Sequence, residues 1–440
     1  MTTDEELLTG ALDRTAGRIT ADRLRPLAEP GTARLPRRRR AIWNARLAPA
    51  AAAAAVALIV AIALLVTGGT RHGSRAAGHP APGVAGPPRY YAEVEGKFIH
   101  WHGPDSVEVA VRSTATGAAV ARVPNPTIAG AAKVLPASVA AGPDDRTFYA
   151  IYMNWGGKPG DFWIYRFRVT GSGAATRPAA VRGGTITGQD DIGNVGGFAV
   201  SPDGSRLALA VASVHDGSSQ SSVASEILVI DLRSGAHAVW RGGMERTGQT
   251  FGIESLSWTG GGRSLAYLGA WCPPGGISYG IYGGFVCSSV AAAHGPIKAE
   301  GTDVVREIHL APGGGTLDSG RVLRPPSASY GPLPVLVTPD GRELITLVKT
   351  SAGRYAYNVV KTSIATGRVV SVLGTVSPVY PLFGGEYLAV DRTGGYVLAW
   401  MAGNATSGLP LHGWVHGGRY HQLAPTFPAR YPGGWIQMTW

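Results

Sequence analysis

Cysteine is nearly absent: Cys272 and Cys287 are the only two in 440 residues. That excludes a disulfide-dense scaffold and any multi-cysteine zinc centre. Charge is also scarce, with Asp, Glu, Lys and Arg together at 16% against 45% hydrophobic residues, and lysine occurs six times against 34 arginines. The net charge of +11 is unevenly placed, with +4 in residues 1–46, +2 in 47–88 and +5 in the long remainder. No Lys/Arg stripe interleaved with aromatics runs through 89–440, so the sequence offers no nucleic-acid surface. Abundant instead are glycine, at 63 residues, and proline, at 31, which with so many apolar residues indicate tight turns between buried strands rather than helices.

The one long uncharged run is Leu47 to Thr70, whose centre, Ala50 to Val66, is an unbroken series of Ala, Val, Leu and Ile. As a helix it would reach roughly 36 Å, enough for a hydrocarbon core of about 30 Å. Arg37, Arg38, Arg39, Arg40 and Arg46 precede it and only Arg71 and Arg75 closely follow, so positive-inside bias puts the N-terminus in the cytoplasm and exports the rest. A cleaved signal peptide, cut near Ser74–Ala77, is the alternative; the long segment before the apolar run and the length of that run argue against it. The expected organisation is a cytoplasmic tail at 1–46, a transmembrane helix at 47–70, a Gly/Pro/Ala linker at 71–88 and an extracytoplasmic domain at 89–440. In the tail, Thr3 and Glu6 form a capping box for a short helix, a possible dock for a cytoplasmic regulator.

Within 89–440 one pattern recurs five times: apolar strand, Pro-Asp-Gly-like turn, apolar strand. The copies are ASVAAGPDDRTFYAIYM from Ala137, GFAVSPDGSRLALAVA from Gly197, SLSWTGGGRSLAYLGA from Ser255, VLVTPDGRELITLVK from Val335 and YLAVDRTGGYVLAWMA from Tyr387. Their turn anchors are Asp145, Gly204, Gly262, Gly341 and Gly394, with spacings of 59, 58, 79 and 53, which suit one four-stranded blade each. Gly261 and Thr393 stand where the turn Asp is expected, and Asp145 where the Gly is. A second strand pair follows, as in EILVIDLRSGAHAVW and YNVVKTSIATGRVVSVLG. The unit is therefore strands a, b, c and d, read as apolar on both faces because blades stack on each other.

SPDGSRLALA at 201–210 and TPDGRELITL at 338–347 resemble the TolB-like and WD40-like propeller repeat. The resemblance covers 89–440 and implies an all-β propeller, with no catalytic residues to carry over. The Arg-over-Lys usage resembles that of a protein from a GC-rich bacterium. Residues 89–124 read as strands b, c and d without an a, and WIQMTW at 435–440 reads as the missing a. Six blades are expected, closed by the C-terminus, with seven as the alternative count.

Gly276-Ile277-Ser278-Tyr279-Gly280 matches the GxSxG spacing of a nucleophile elbow, but the chain has no α/β domain to place an Asp and His around Ser278. The same loop is bracketed by Cys272 and Cys287, expected to pair in an oxidising exterior, with two free thiols as the alternative. His100 with His102, and His412 with His416, lack a third ligand and read as surface histidines, so neither metal nor cofactor is expected.

The b-to-c and d-to-a connections should emerge together on one face of the ring. That face would carry Trp101, Trp155, Trp271, Tyr279, Tyr282 and Phe285 from b-to-c loops, and Asp190, Asp191, Glu245, Arg246, Glu254, Tyr330 and Tyr380 from d-to-a loops. Exposed aromatics with a few charges suit recognition of a protein or glycan; the alternative for each ring is packing beneath its own loop. The function expected is non-enzymatic binding outside the membrane, with a transmembrane sensor or a propeller hydrolase or lyase as alternatives.

Overall fold

The computed structural model describes residues 86–98, 104–154, 161–187, 192–215, 222–242, 250–272, 277–279, 285–287, 304–324, 335–350, 356–376, 387–401, 411–423 and 436–440. All fall in one compact unit, Pro82–Trp440. The expected tail at 1–46, helix at 47–70 and most of the linker lie outside the described residues. Among those described, no helix is long and apolar enough to cross a membrane.

Six antiparallel sheets follow one another along the chain. Blade 1 holds β1 (Tyr90–Phe98), β2 (Pro104–Ser113) and β3 (Ala119–Val123); blade 2 holds β4 (Val134–Ala141), β5 (Thr147–Asn154), β6 (Phe162–Arg168) and β7 (Ala179–Ile186). Blade 3 comprises β8 (Ile192–Val200), β9 (Arg206–His215), β10 (Ser222–Asp231) and β11 (His237–Arg241). Blade 4 begins with β12 (Thr250–Thr259) and β13 (Ser264–Cys272), then inserts a small hairpin, β14 (Ile277–Tyr279) and β15 (Phe285–Cys287). It resumes with β16 (Val304–His309), sends out β17 (Gly315–Thr316), and ends with β18 (Arg321–Arg324). Blade 5 is β19 (Leu336–Val337), β20 (Glu343–Lys349), β21 (Tyr357–Ser363) and β22 (Val369–Val376). Blade 6 is β23 (Tyr387–Val390), β24 (Val397–Met401), β25 (Leu411–His416) and β26 (Arg419–Gln422), and β27 (Ile436–Thr439) returns to pair with β1.

The innermost strands touch in the cyclic order β27, β4, β8, β12, β19, β23 and back to β27. The architecture is a closed, six-bladed β-propeller. Six apolar clusters fill the six gaps between blades. That is why the strands lack the polar-out alternation of a half-exposed sheet: Phe148, Ala150 and Tyr152 pack on blade 1, while Tyr149 and Ile151, pointing the other way, pack on blade 3.

Polar clasps repeat between neighbours. Trp258 Nε1 donates to Ala199 O of the preceding blade at 3.1 Å. Val337 N donates to Ser257 Oγ at 3.0 Å, and Ala141 N to Thr439 Oγ1 at 3.0 Å, tying inner strands across blades. At the rim, β17 leaves blade 4 and pairs in parallel with β11, giving blade 3 a fifth strand and covering its outer edge. Leu317, in the 3₁₀ turn that follows, is fully buried between the two blades.

The turns follow their chemistry, with one correction. In blades 3 and 5 a hydroxyl donates to the turn aspartate: Ser201 Oγ to Asp203 and Thr338 Oγ1 to Asp340, both at 2.6 Å. In blade 6 the pair is exchanged. Asp391 occupies the hydroxyl position and accepts from Thr393 Oγ1 at 2.5 Å, Gly395 N at 2.8 Å and Tyr396 N at 2.9 Å. In this turn the aspartate stands two residues earlier, at 391, and Thr393 takes its usual place. Gly204, Gly341 and Gly394 all hold φ near +70°, where a β-carbon is strained.

Candidate binding face and the closing seam

Because the six inner strands are equivalent, every b-to-c and d-to-a connection leaves from the same face. Most of the expected face residues, Trp101, Trp155, Asp190, Asp191, Glu245, Arg246, Tyr282, Tyr330 and Tyr380, lie outside the described residues. For Glu254, Trp271, Tyr279 and Phe285 the backbone is placed. Glu254 sits at a bulge in β12, Trp271 pairs with Phe251 near the end of β13, and Tyr279 pairs with Phe285 across the β14–β15 hairpin. That hairpin lies against β12 and β13. Cys287 is in β15 and Cys272 ends β13; their side chains, and so their pairing, lie outside the described set.

Ser278 sits in the middle of β14, paired with Val286. A nucleophile elbow needs a sharp turn from strand to helix, and this backbone is a plain antiparallel hairpin.

Sequence reading missed a second feature, at the contact between blades 1 and 6. Tyr91, Glu93 and Glu95 alternate along β1 and so share one face, which looks toward blade 6. Glu93 is 0% exposed, Glu95 7%, Arg112 6% and His412 1%. Arg112 reaches Glu93 through Nε, contacts Glu95 through Nε at 3.0 Å and also through Nη2, and donates from Nη1 to Gly117 O at 2.9 Å. His412 enters from β25, its Nε2 3.8 Å from Glu93 Oε2 and its ring edge-on to Tyr91 at 5.2 Å. His412 is thus no surface histidine, whereas His416 is exposed and stacks on Tyr396 at 4.0 Å.

Burial pushes the Glu93 carboxyl well above the usual carboxylate range, and a hydrogen bond shared with Glu95 adds to it. Burial, then the nearby Arg112 charge, pulls the His412 imidazole down to about 3. The signal was present in RYYAEVEG: two glutamates on one face of a strand that a propeller buries on both sides.

No protein-family model matches the chain, and no curated protein matches it. Among solved structures it is similar to TolB from Acinetobacter baumannii, at 15% identity and TM-score 0.44, covering 80% of this chain and 66% of that one. It is also similar to a putative TolB from Agrobacterium tumefaciens, at 14% identity and TM-score 0.39, covering 80% and 98%. An oligogalacturonate lyase solved with manganese matches at 13% identity and TM-score 0.37, covering 71% and 72%. The likeness is one of fold. The chain spans just under two thirds of the Acinetobacter TolB's length.

Proposed function

We propose that this TolB-like propeller is a binding module, tethered to the membrane by residues 47–70 and displayed outside it, which recognises a protein or glycan on the face of its b-to-c and d-to-a connections. The supporting observation is the inequality of the two faces. The a-to-b turns are short and satisfy their own hydrogen bonds, as at Asp203, Asp340 and Asp391. The opposite connections vary, from the short 98-to-104 and 186-to-192 links to the run from the end of β13 at 272 to the start of β16 at 304, which carries its own hairpin. Variable loops on a rigid ring are where propellers place recognition. In this reading the aromatic residues Trp155, Trp271 and Tyr282 supply the contact energy, and Cys272 and Cys287 brace the longest loop by pairing.

The test is cross-linking of the full-length chain in native membranes, with a defined glycan array in parallel, for the wild type and a Trp155→Ala/Trp271→Ala/Tyr282→Ala variant. At least tenfold loss of partner recovery or glycan signal is expected; equal recovery rejects the aromatic face. Deleting 1–46 leaves this binding intact, and loss of an intracellular response on that deletion would favour the sensor reading.

A further inference from the structure

Five of the six gaps between blades are filled by large apolar clusters, and the sixth is different. Between blades 6 and 1 the apolar share is small, centred on Tyr91, Leu398, Leu423 and Trp440. The rest of the seam is the ionisable group built from Glu93, Glu95, Arg112 and His412. It adjoins the strand pair that closes the ring, since Glu93 and Glu95 lie on β1 directly opposite Met438 and Ile436 of β27.

The charges in this seam do not balance. Two buried carboxylates share one guanidinium, that of Arg112. Among the residues whose side chains are described, these charged or titratable groups surround Glu93. From β1 there are Tyr91 and Glu95, from β2 Glu108 and Arg112, from β3 Arg122 and from β25 His412. Arg122 is half exposed, ion-paired to Glu108, and reaches Glu95 only at 3.4 Å. Toward Glu93, blade 6 presents His412, whose burial disfavours the charged form. Glu93 Oε2, the Tyr91 hydroxyl and both His412 ring nitrogens are buried without a hydrogen-bond partner. An ionised Glu93 would therefore place a surplus negative charge where nothing donates to its second oxygen, an arrangement that is costly in a low-dielectric interior.

We infer that the seam is a proton-dependent latch: one proton held between Glu93 and Glu95 keeps blades 6 and 1 together, and its loss on alkalinisation loosens β27 and opens the ring at that seam alone. The sign follows from the charges. With the proton present, one carboxylate faces one guanidinium and the seam is neutral; without it, the two β1 carboxylates leave the seam with a net negative charge. Among the described buried residues the one other carboxylate is Asp391, whose oxygens accept from Thr393, Gly395 and Tyr396, so the other five gaps hold no unsatisfied carboxylate pair and stay closed over the same pH range.

Hydrogen exchange read by mass spectrometry on the full-length chain tests this. The protection of peptides covering 436–440 is divided by that of peptides covering β9 in blade 3, which cancels the intrinsic pH dependence of exchange. In the wild type this ratio falls at least tenfold between pH 6 and pH 9. In Glu93→Gln and, independently, in Glu95→Gln it stays within twofold, because either change leaves one carboxylate on one guanidinium. If one variant fails to fold, the other carries the comparison. A ratio that is flat in the wild type, or that falls in parallel in the wild type and a folded variant, overturns the latch.

Discussion

The indole Nε1 of Trp440, the last residue, donates at 2.8 Å to the carbonyl oxygen of Ala389 in β23. Trp258 makes the same bond to Ala199 between blades 3 and 4, on the opposite side of the ring. The closing strand thus repeats an internal clasp, with the C-terminus supplying what a continuous chain supplies elsewhere.

Trp440 is 5% exposed, so Trp440→Ala should lower unfolding stability by about 3–5 kcal/mol, and Trp440→Phe, which keeps most of the ring but loses the donor, by less. Urea unfolding midpoints measure both. Removal of 436–440 should free the edge of β1 and produce oligomers by sedimentation; a monomer of unchanged stability would mean that β27 does not close the ring.

The seam makes a distinctive pH profile. Unfolded, a glutamate titrates near 4.5 and a histidine near 6.5; folded, Glu93 titrates well above 4.5 and His412 near 3. Between pH 4.5 and 6.5 both states bind one proton of this pair, so its contribution is flat. Below 4.5 the unfolded chain binds more protons and stability falls as pH drops; above 6.5 the folded chain binds more and stability falls as pH rises, until Glu93 ionises in the fold. Relative to wild type, Glu93→Gln should therefore show stability climbing from pH 4.5 to 6.5, and His412→Phe should show it declining over the same range. Melting temperatures against pH decide, and parallel profiles in all three proteins would remove the assigned protonation states.

Gly314 and Gly261 both hold positive φ, at 81° and 67°. A β-carbon on Gly314 would collide with the backbone of Val239, which β17 must approach, while one on Gly261 meets nothing within 4 Å. Gly261→Ala should cost about 1 kcal/mol and Gly314→Ala more than about 2 kcal/mol, since only the second combines strain with a collision against fixed backbone. Equal losses in thermal unfolding would show that the β17 strap contributes nothing.

In the blade 6 turn, Asp391→Ala strands the amide of Tyr396 and leaves that of Gly395 only Thr393 Oγ1 at 3.1 Å, and should cost about 1–3 kcal/mol. Asp391→Thr combined with Thr393→Asp recreates the arrangement of Thr338 and Asp340 and should recover most of the loss. Failure of the double variant to improve on Asp391→Thr alone would show that the two positions are not interchangeable.

By itself the sequence determined the repeat and the ring. Tight-turn chemistry is local, so SPDGSR and TPDGRE announce their hairpins, and strands apolar on both faces require neighbouring blades. The four-residue return at Ile436–Thr439 was legible because the first blade lacked an inner strand and the C-terminus had one to give. Tertiary structure alone decided what depends on distant residues meeting. The sequence put Thr393 where the turn Asp is expected, and only the folded turn brings the Asp391 carboxylate onto Gly395 and Tyr396. Nothing in the spacing of Glu93 and His412, 319 positions apart, brings them together; only ring closure places their side chains 3.8 Å apart. Whether an ionisable group sits in water or in a dry seam is set by what covers it, and the covering strands come from opposite ends of the chain.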